Sequence, residues 1–212
     1  MTLLGLFLNR SIRTGGHRRY LNLLSGLAAR GHRVVILMEE KFRDAPSNVE
    51  IIPIKVATTG RFNAVSRSFA ASARARVSLL RERVQKVDAV LIFGETNTSS
   101  GMILAKAFSC PLVFGLRSNS VCVAATIDPG ASPVMRFKGF IGTILAYIRE
   151  LRTVSAADRI VFQSAFDRND FISRFPRIKK NRGLYGMLLS NLGFRLTLPI
   201  PALSITPVNF YL

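Results

Sequence analysis

Apolar positions in this chain fall into short unbroken runs separated by longer amphipathic stretches. Leu3-Leu4-Gly5-Leu6-Phe7-Leu8 is one run and Val34-Val35-Ile36-Leu37-Met38 is the next. Continuous runs of this length suit strands buried on both faces of a parallel sheet better than the alternating pattern of a half-exposed hairpin. Between them Tyr20, Leu24, Leu27 and Ala28 recur at helical spacing, with Leu21 and Leu23 widening the stripe. Gly31 follows the last turn, where a left-handed cap is wanted. The predicted unit is strand, polar loop, helix, strand, and its loop ends in Thr14-Gly15-Gly16.

The same alternation continues. Val49-Glu50-Ile51-Ile52-Pro53-Ile54 reads as a third strand, with Pro53 placing it at an edge or marking its end. Phe69, Ala73, Val77, Leu80 and Val84 then share one face of a long helix predicted from about Asn63 to Lys86, beside a row formed by Arg67, Arg74 and Arg81. Asp88 to Gly94 gives a fourth strand, Thr98 to Phe108 a helix, and Pro111 to Gly115 a fifth strand. Val134 to Val154 is helical in pattern but interrupted by Gly139 and Gly142. Arg159 to Phe162 is a sixth strand, and Ser164 with Asp167 has the spacing of a capping box for the helix after it. The fold class expected is α/β, a Rossmann-like parallel sheet sandwiched by helices.

Glycines at 15 and 16 remove side chains where the chain turns into a helix, so backbone amides and the positive helix end can approach an anion such as a phosphate. A paired glycine also makes a plain tight turn, and spacing alone leaves both readings open. The run from Thr14-Gly15-Gly16-His17 through Leu27-Ala28-Ala29-Arg30-Gly31-His32-Arg33-Val34 resembles the opening of a family 4 (group 1) glycosyltransferase. Ala156-Ala157-Asp158-Arg159-Ile160-Val161-Phe162-Gln163-Ser164-Ala165-Phe166-Asp167 resembles the element that closes the N-terminal domain of that family. The resemblance covers residues 1–182 and implies the N-terminal, acceptor-side half of a two-domain GT-B enzyme. It further implies retaining sugar transfer from a nucleotide-sugar to a saccharide or lipid-linked acceptor. The donor is a substrate in such an enzyme, and neither a cofactor nor a metal is called for.

Site candidates follow from the rule that open parallel sheets bind ligands beyond the carboxyl ends of their strands. The resemblance makes Gly15 and Gly16 the contact for the donor diphosphate. His17, Glu95, Arg117, Asn119 and Ser164 are acceptor or phosphate candidates. Arg117 stands near a position where many members carry a histidine, a departure that leaves the acceptor-side chemistry open, although an arginine can hold a phosphate bidentately. His17 faces either the phosphate or solvent, His32 is a turn residue, and Ser164 serves as a cap before any chemistry.

Charge widens the picture. The chain has 30 basic and 12 acidic residues among 212, a net charge of +18, which calls for an anionic partner. An anionic membrane surface, with Arg67, Arg74 and Arg81 facing it, is the partner expected; the protein would then sit at the inner face of the cell membrane. A nucleic-acid binder would also explain the charge, but no recognised nucleic-acid motif is visible. A nicotinamide-dependent oxidoreductase shares the strand, glycine loop and helix, yet the Gly-x-Gly-x-x-Gly spacing is missing. Cys110 and Cys122 lack metal-ligand spacing and read as buried thiols. Residues 183–212 carry one charge, Arg195, with prolines at 199, 201 and 207, and read as an apolar tail or truncated interdomain linker. On that expectation the lone chain is weak or inactive and relies on a separate donor-domain chain.

Overall fold

The two apolar runs at the start of the chain become neighbouring parallel strands. In the computed structural model, which describes residues 1–7, 15–39, 45–54, 62–115, 130, 132–162, 164–175 and 185–186, β1 (Thr2–Phe7) pairs in register with β2 (Arg33–Glu39) over all six of its residues. Every residue from Leu3 through Phe7 and from Val34 through Met38 is buried, as strands covered on both faces require. Two compact units divide the chain, Met1–Val113 and Phe114–Leu212.

In the first unit the strand order is β3-β2-β1-β4, with β3 (Glu50–Ile54) and β4 (Ala89–Phe93) parallel to their neighbours; β5 (Leu112–Gly115), which starts at the end of that unit, is next to β4. Pro53 lies in β3, at the edge, as its missing amide demands. Helix α1 (Gly15–Ala28) buries His17, Tyr20, Leu21 and Leu24 and ends at Gly31, whose φ of 81° gives the left-handed cap. The long helix expected over residues 63–86 is instead two, α2 (Phe62–Ala75) and α3 (Val77–Val84). At the joint the Arg76 amide is shared between the carbonyls of Ser72 and Ala73, which tightens the last turn and breaks the regular ladder. The apolar face survives the joint, because Phe69, Ala73, Leu80 and Val84 are all buried. Helix α4 (Thr98–Phe108) packs beside α2. Cys110, expected to be buried, is half-buried, and Cys122 lies outside the described residues.

The second unit contains α5 (Pro133–Ala156), β6 (Arg159–Phe162), α6 (Ala165–Arg174) and β7 (Tyr185–Gly186). Gly139 and Gly142 do not interrupt α5, a correction to the reading from sequence. Each glycine costs a helix about 1 kcal/mol, too little to split 24 residues capped by the Ser132 hydroxyl and opened by Pro133. An ion pair at 2.5 Å joins buried Glu150 of α5 to half-buried Arg174 of α6, and Phe171 packs edge-on against Phe162. Strand β7 pairs in parallel with β6, so the segment set apart as a tail contributes Tyr185 and Gly186 to the sheet.

Candidate functional site

The strand order reverses direction of winding between β1 and β4, and there the two strands separate. Although β1 pairs with β2 as far as Phe7, its pairing with β4 stops at Gly5 opposite Leu91. Beyond that point the phenol of Tyr20 stands between the strands. The Leu6 amide donates to the Tyr20 hydroxyl at 3.0 Å, and the hydroxyl donates to the Leu91 carbonyl at 2.9 Å. One side chain thus replaces the next rung of the ladder and holds the carboxyl ends apart, at the kind of switch point where open α/β sheets bind ligands. Burial pushes the phenol pKa up, against a smaller downward pull from the Leu6 amide, so the hydroxyl keeps the proton it donates. The Tyr20 ring stacks on Phe93 at 5.2 Å.

Gly5 makes this approach possible. A Cβ there would lie 2.8 Å from Leu24 Cδ1 and 3.1 Å from the Tyr20 hydroxyl oxygen. Neither Gly5 nor Tyr20 was singled out from sequence as a site residue, because both read as members of apolar stripes. A phenol in an otherwise aliphatic helix face, opposite a glycine in a buried strand, was the available signal.

Gly15 and Gly16 form the first residues of α1, and the first turn contains no acidic residue that would compete for an anion. Gly15 is exposed, and a Cβ on it would meet nothing within 4 Å among the described residues. His17 is buried at 6 % exposure, its ring edge-on to Phe7 at 5.6 Å, which removes the solvent-facing alternative. Beyond β4, Gly94 has a φ of 83° and leads into a 3-10 turn, Glu95–Asn97, where Glu95 is half-buried. The Thr98 hydroxyl donates to the Glu95 carbonyl at 2.7 Å, and Ser66 of α2 donates to the Thr96 carbonyl at 2.8 Å, fixing the turn. Two polar groups here were missed by sequence reasoning: Asn97 Oδ1 and Ser100 Oγ are buried and have no hydrogen-bond partner among the described residues. Buried orphans of this kind cluster where a structure serves something other than its own stability.

The remaining candidates divide differently. Arg117 and Asn119 lie outside the described residues. Ser164 belongs to the second unit and is an N-cap: its hydroxyl accepts from the Asp167 amide at 3.0 Å and donates to Asp167 Oδ2 at 2.7 Å. Of the arginine row, Arg67, Arg74 and Arg81 are all exposed, and Arg81 also donates to the Ala107 carbonyl at 2.7 Å near the end of α4.

A parallel sheet parted at its switch point, with a glycine-led helix at that sheet, is common to many nucleotide-binding folds. The deciding observation is that the Glycosyltransferase Family 4 profile matches residues 13–182. The chain belongs to glycosyltransferase family 4. Membership in that family decides against the dinucleotide-dependent oxidoreductase that the same opening allows. No curated protein matches the chain in sequence.

Among solved structures the family 4 chain is similar to sucrose-phosphate synthase from Thermosynechococcus elongatus, with a TM-score of 0.62 and 12% identity over 88% of this chain and 47% of that one. Phytolacca americana UGT2, complexed with UDP-2fluoro-glucose and pterostilbene, gives a TM-score of 0.59 and 13% identity over 88% of this chain and 54% of that one. Medicago truncatula UGT71G1 complexed with UDP-glucose gives 0.58 and 10% identity, with 88% and 51% covered. These likenesses establish a GT-B glycosyltransferase fold, and the chain spans about half the length of the structures it matches.

Proposed function

We propose that this chain is the acceptor-side half of a retaining, metal-independent glycosyltransferase that moves a sugar from a nucleotide-sugar to a saccharide or lipid-linked acceptor at an anionic membrane surface. The observation that carries the reading is Gly15: no packing contact among the described residues asks for a glycine there, yet it begins the helix beside the parted strands of a family 4 sheet. A missing Cβ at that place lets an anionic ligand reach the amides of the first turn.

In this reading the first turn of α1 takes the diphosphate of the donor, and its positive end stabilises the charge that grows on the leaving diphosphate as the sugar–phosphate bond breaks and the glycosidic bond to the acceptor forms. Glu95 and Asn97 orient an acceptor hydroxyl, and Arg117 and Asn119 supply further phosphate or acceptor contacts. Transfer also needs a donor-binding half to close over the sugar, since positioning two substrates is a large part of the barrier such an enzyme removes.

The test is titration of the purified chain with UDP-glucose and GDP-mannose, followed by phosphorus-31 spectra of the diphosphate, alongside the Gly15→Val variant. Expected is weak binding that the variant abolishes without loss of folding, together with slow release of nucleoside diphosphate. Binding unaffected by the substitution, or stronger binding of NADH than of any nucleotide-sugar, overturns the proposal.

A further inference from the structure

Helix α5 is built inside out. A helix that covers a sheet turns apolar side chains inward and charged ones outward. Along α5 the buried residues are Glu150, Thr153 and Val154, with Gly139, Thr143 and Ala146 half-buried on the same side. Phe137, Phe140, Ile141, Ile144, Leu145 and Ile148 lie on the opposite side and are 65%, 58%, 40%, 39%, 46% and 53% exposed. Residues 137, 140, 141, 144 and 148 follow the three-and-four spacing of one helical face. The stripe from Phe137 to Ile148 runs for about 17 Å at the helical rise.

The charges on α5 are as one-sided as its apolar face. Arg136, Lys138, Arg149 and Arg152 are exposed, and they border the stripe. The one acid of the helix, Glu150, is fully buried and ion-paired with Arg174. The outer surface of α5 therefore joins an exposed apolar stripe to four cations and no anion.

We propose that this face docks on an anionic membrane surface, with the stripe at the boundary of headgroups and acyl chains and the four cations at the level of the lipid phosphates. A basic helix with a broad apolar face lies in that interface in the plane of the membrane. It does not cross: no helix among the described residues is long and apolar enough to do so. A second copy of the chain is a poor occupant, because a two-fold contact would set these cations against their own images. The inference rests on the membrane-surface reading above and moves it from the row of Arg67, Arg74 and Arg81 to α5.

The chain contains no tryptophan, so Phe140→Trp places a single reporter in the stripe. Its emission is followed with vesicles of phosphatidylcholine alone and of phosphatidylcholine mixed with phosphatidylglycerol, beside sedimentation of the wild-type chain. Expected is a blue shift with shielding from iodide on the mixed vesicles alone. Adding Ile144→Asp should remove the shift, and adding Lys138→Gln with Arg149→Gln should weaken binding about tenfold or more. Circular dichroism checks that each variant is folded, and the charge pair tests the idea independently of the apolar one.

A silent reporter on a chain that still sediments with anionic vesicles overturns the α5 assignment and leaves the membrane reading standing. Absence of sedimentation with every vesicle overturns both. Blue emission without lipid also overturns it: dependence on protein concentration identifies a second copy as the occupant, and independence identifies another segment of the same chain. None of these outcomes bears on donor binding, which the diphosphate titration reads separately.

Discussion

Replacing Tyr20 by Phe removes one oxygen and should disturb both the stability of the first unit and the shape of its switch point. That oxygen is the acceptor for the Leu6 amide at 3.0 Å and the donor to the Leu91 carbonyl at 2.9 Å, in a side chain only 3% exposed. A buried amide left without a partner costs about 1–3 kcal/mol, and the part-buried carbonyl adds about 1 kcal/mol or less. The sum spans about 1–4 kcal/mol, and its middle, about 2.5 kcal/mol, should lower the urea midpoint by about 1 M at the slope usual for such a chain. Hydrogen exchange gives the local reading: the Leu6 amide should lose about thirtyfold or more in protection, the factor equivalent to about 2 kcal/mol. Phe93→Leu is the control, because it removes the ring stacked at 5.2 Å and leaves both hydrogen bonds in place. If Tyr20→Phe shifts the midpoint by less than about 0.2 M and Leu6 stays protected, the strands have closed into a direct ladder and the hydroxyl is no wedge.

Three further outcomes follow from the same contacts. Gly5→Ala should cost about 1–3 kcal/mol in thermal or urea unfolding, because its Cβ would meet Leu24 Cδ1 at 2.8 Å, whereas Gly15→Ala should change stability by less than about 1 kcal/mol. Glu150→Gln should destabilise by about 1–2 kcal/mol, since Arg174, 16% exposed, keeps Asp170 as a carboxylate partner at 3.0 Å and the amide oxygen of glutamine can still accept from it; a loss below about 0.5 kcal/mol would show the charge at 150 to be dispensable. The Thr2 amide at 2.7 Å, with help from Lys86, holds the Asp88 carboxyl below its usual range against the upward push of partial burial. The folded pKa being the lower one, Asp88 contributes stability that is complete above about pH 4 and lost as pH falls further through the folded value. Asp88→Asn should therefore lower stability by about 1 kcal/mol at neutral pH and make no difference in strong acid, as acid-unfolding curves of the two proteins would show.

Much of the first unit was legible because its signals are local. Continuous apolar runs gave β1, β2 and β4, and the Leu24, Leu27, Gly31 spacing gave α1 with its cap. What escaped is what depends on partners far along the chain. Tyr20 fits the apolar stripe of α1 by period, but its function as a wedge depends on Leu91, 71 residues away. The break at Arg76 comes from how one amide is shared, a choice that helix propensity does not record. Strand β7 is two residues long and has no pattern of its own; only its pairing with Val161 and Phe162 makes it a strand. At the candidate site the glycines of the first turn were found by motif, while the orphaned Asn97 and Ser100 carry no motif and are noticed only once burial is known.

Helix α5 shows why a correct period can still mislead. The spacing of Phe137, Phe140, Ile144 and Ile148 is that of any sheet-covering helix, and period alone says that such a face is turned toward the core. Hydrophobicity states that a face avoids water; it does not state which partner removes it. The opposite face decides the matter. Gly139, Thr143, Ala146 and Glu150 are small or polar, and such a face can pack closely against protein: the Thr143 hydroxyl returns to the Gly139 carbonyl at 3.0 Å and Glu150 Oε2 takes Arg174. When both faces of a helix can be buried, the charges along their border choose. Here the border is Arg136, Lys138, Arg149 and Arg152, and a face rimmed by cations finds its complement in a surface of phosphates. If the proposed transfer is reconstituted with a donor-binding half, docking on this helix would keep the acceptor search in two dimensions, so loss of the stripe should raise the KM for a lipid-linked acceptor in vesicles while leaving that for a water-soluble analogue unchanged.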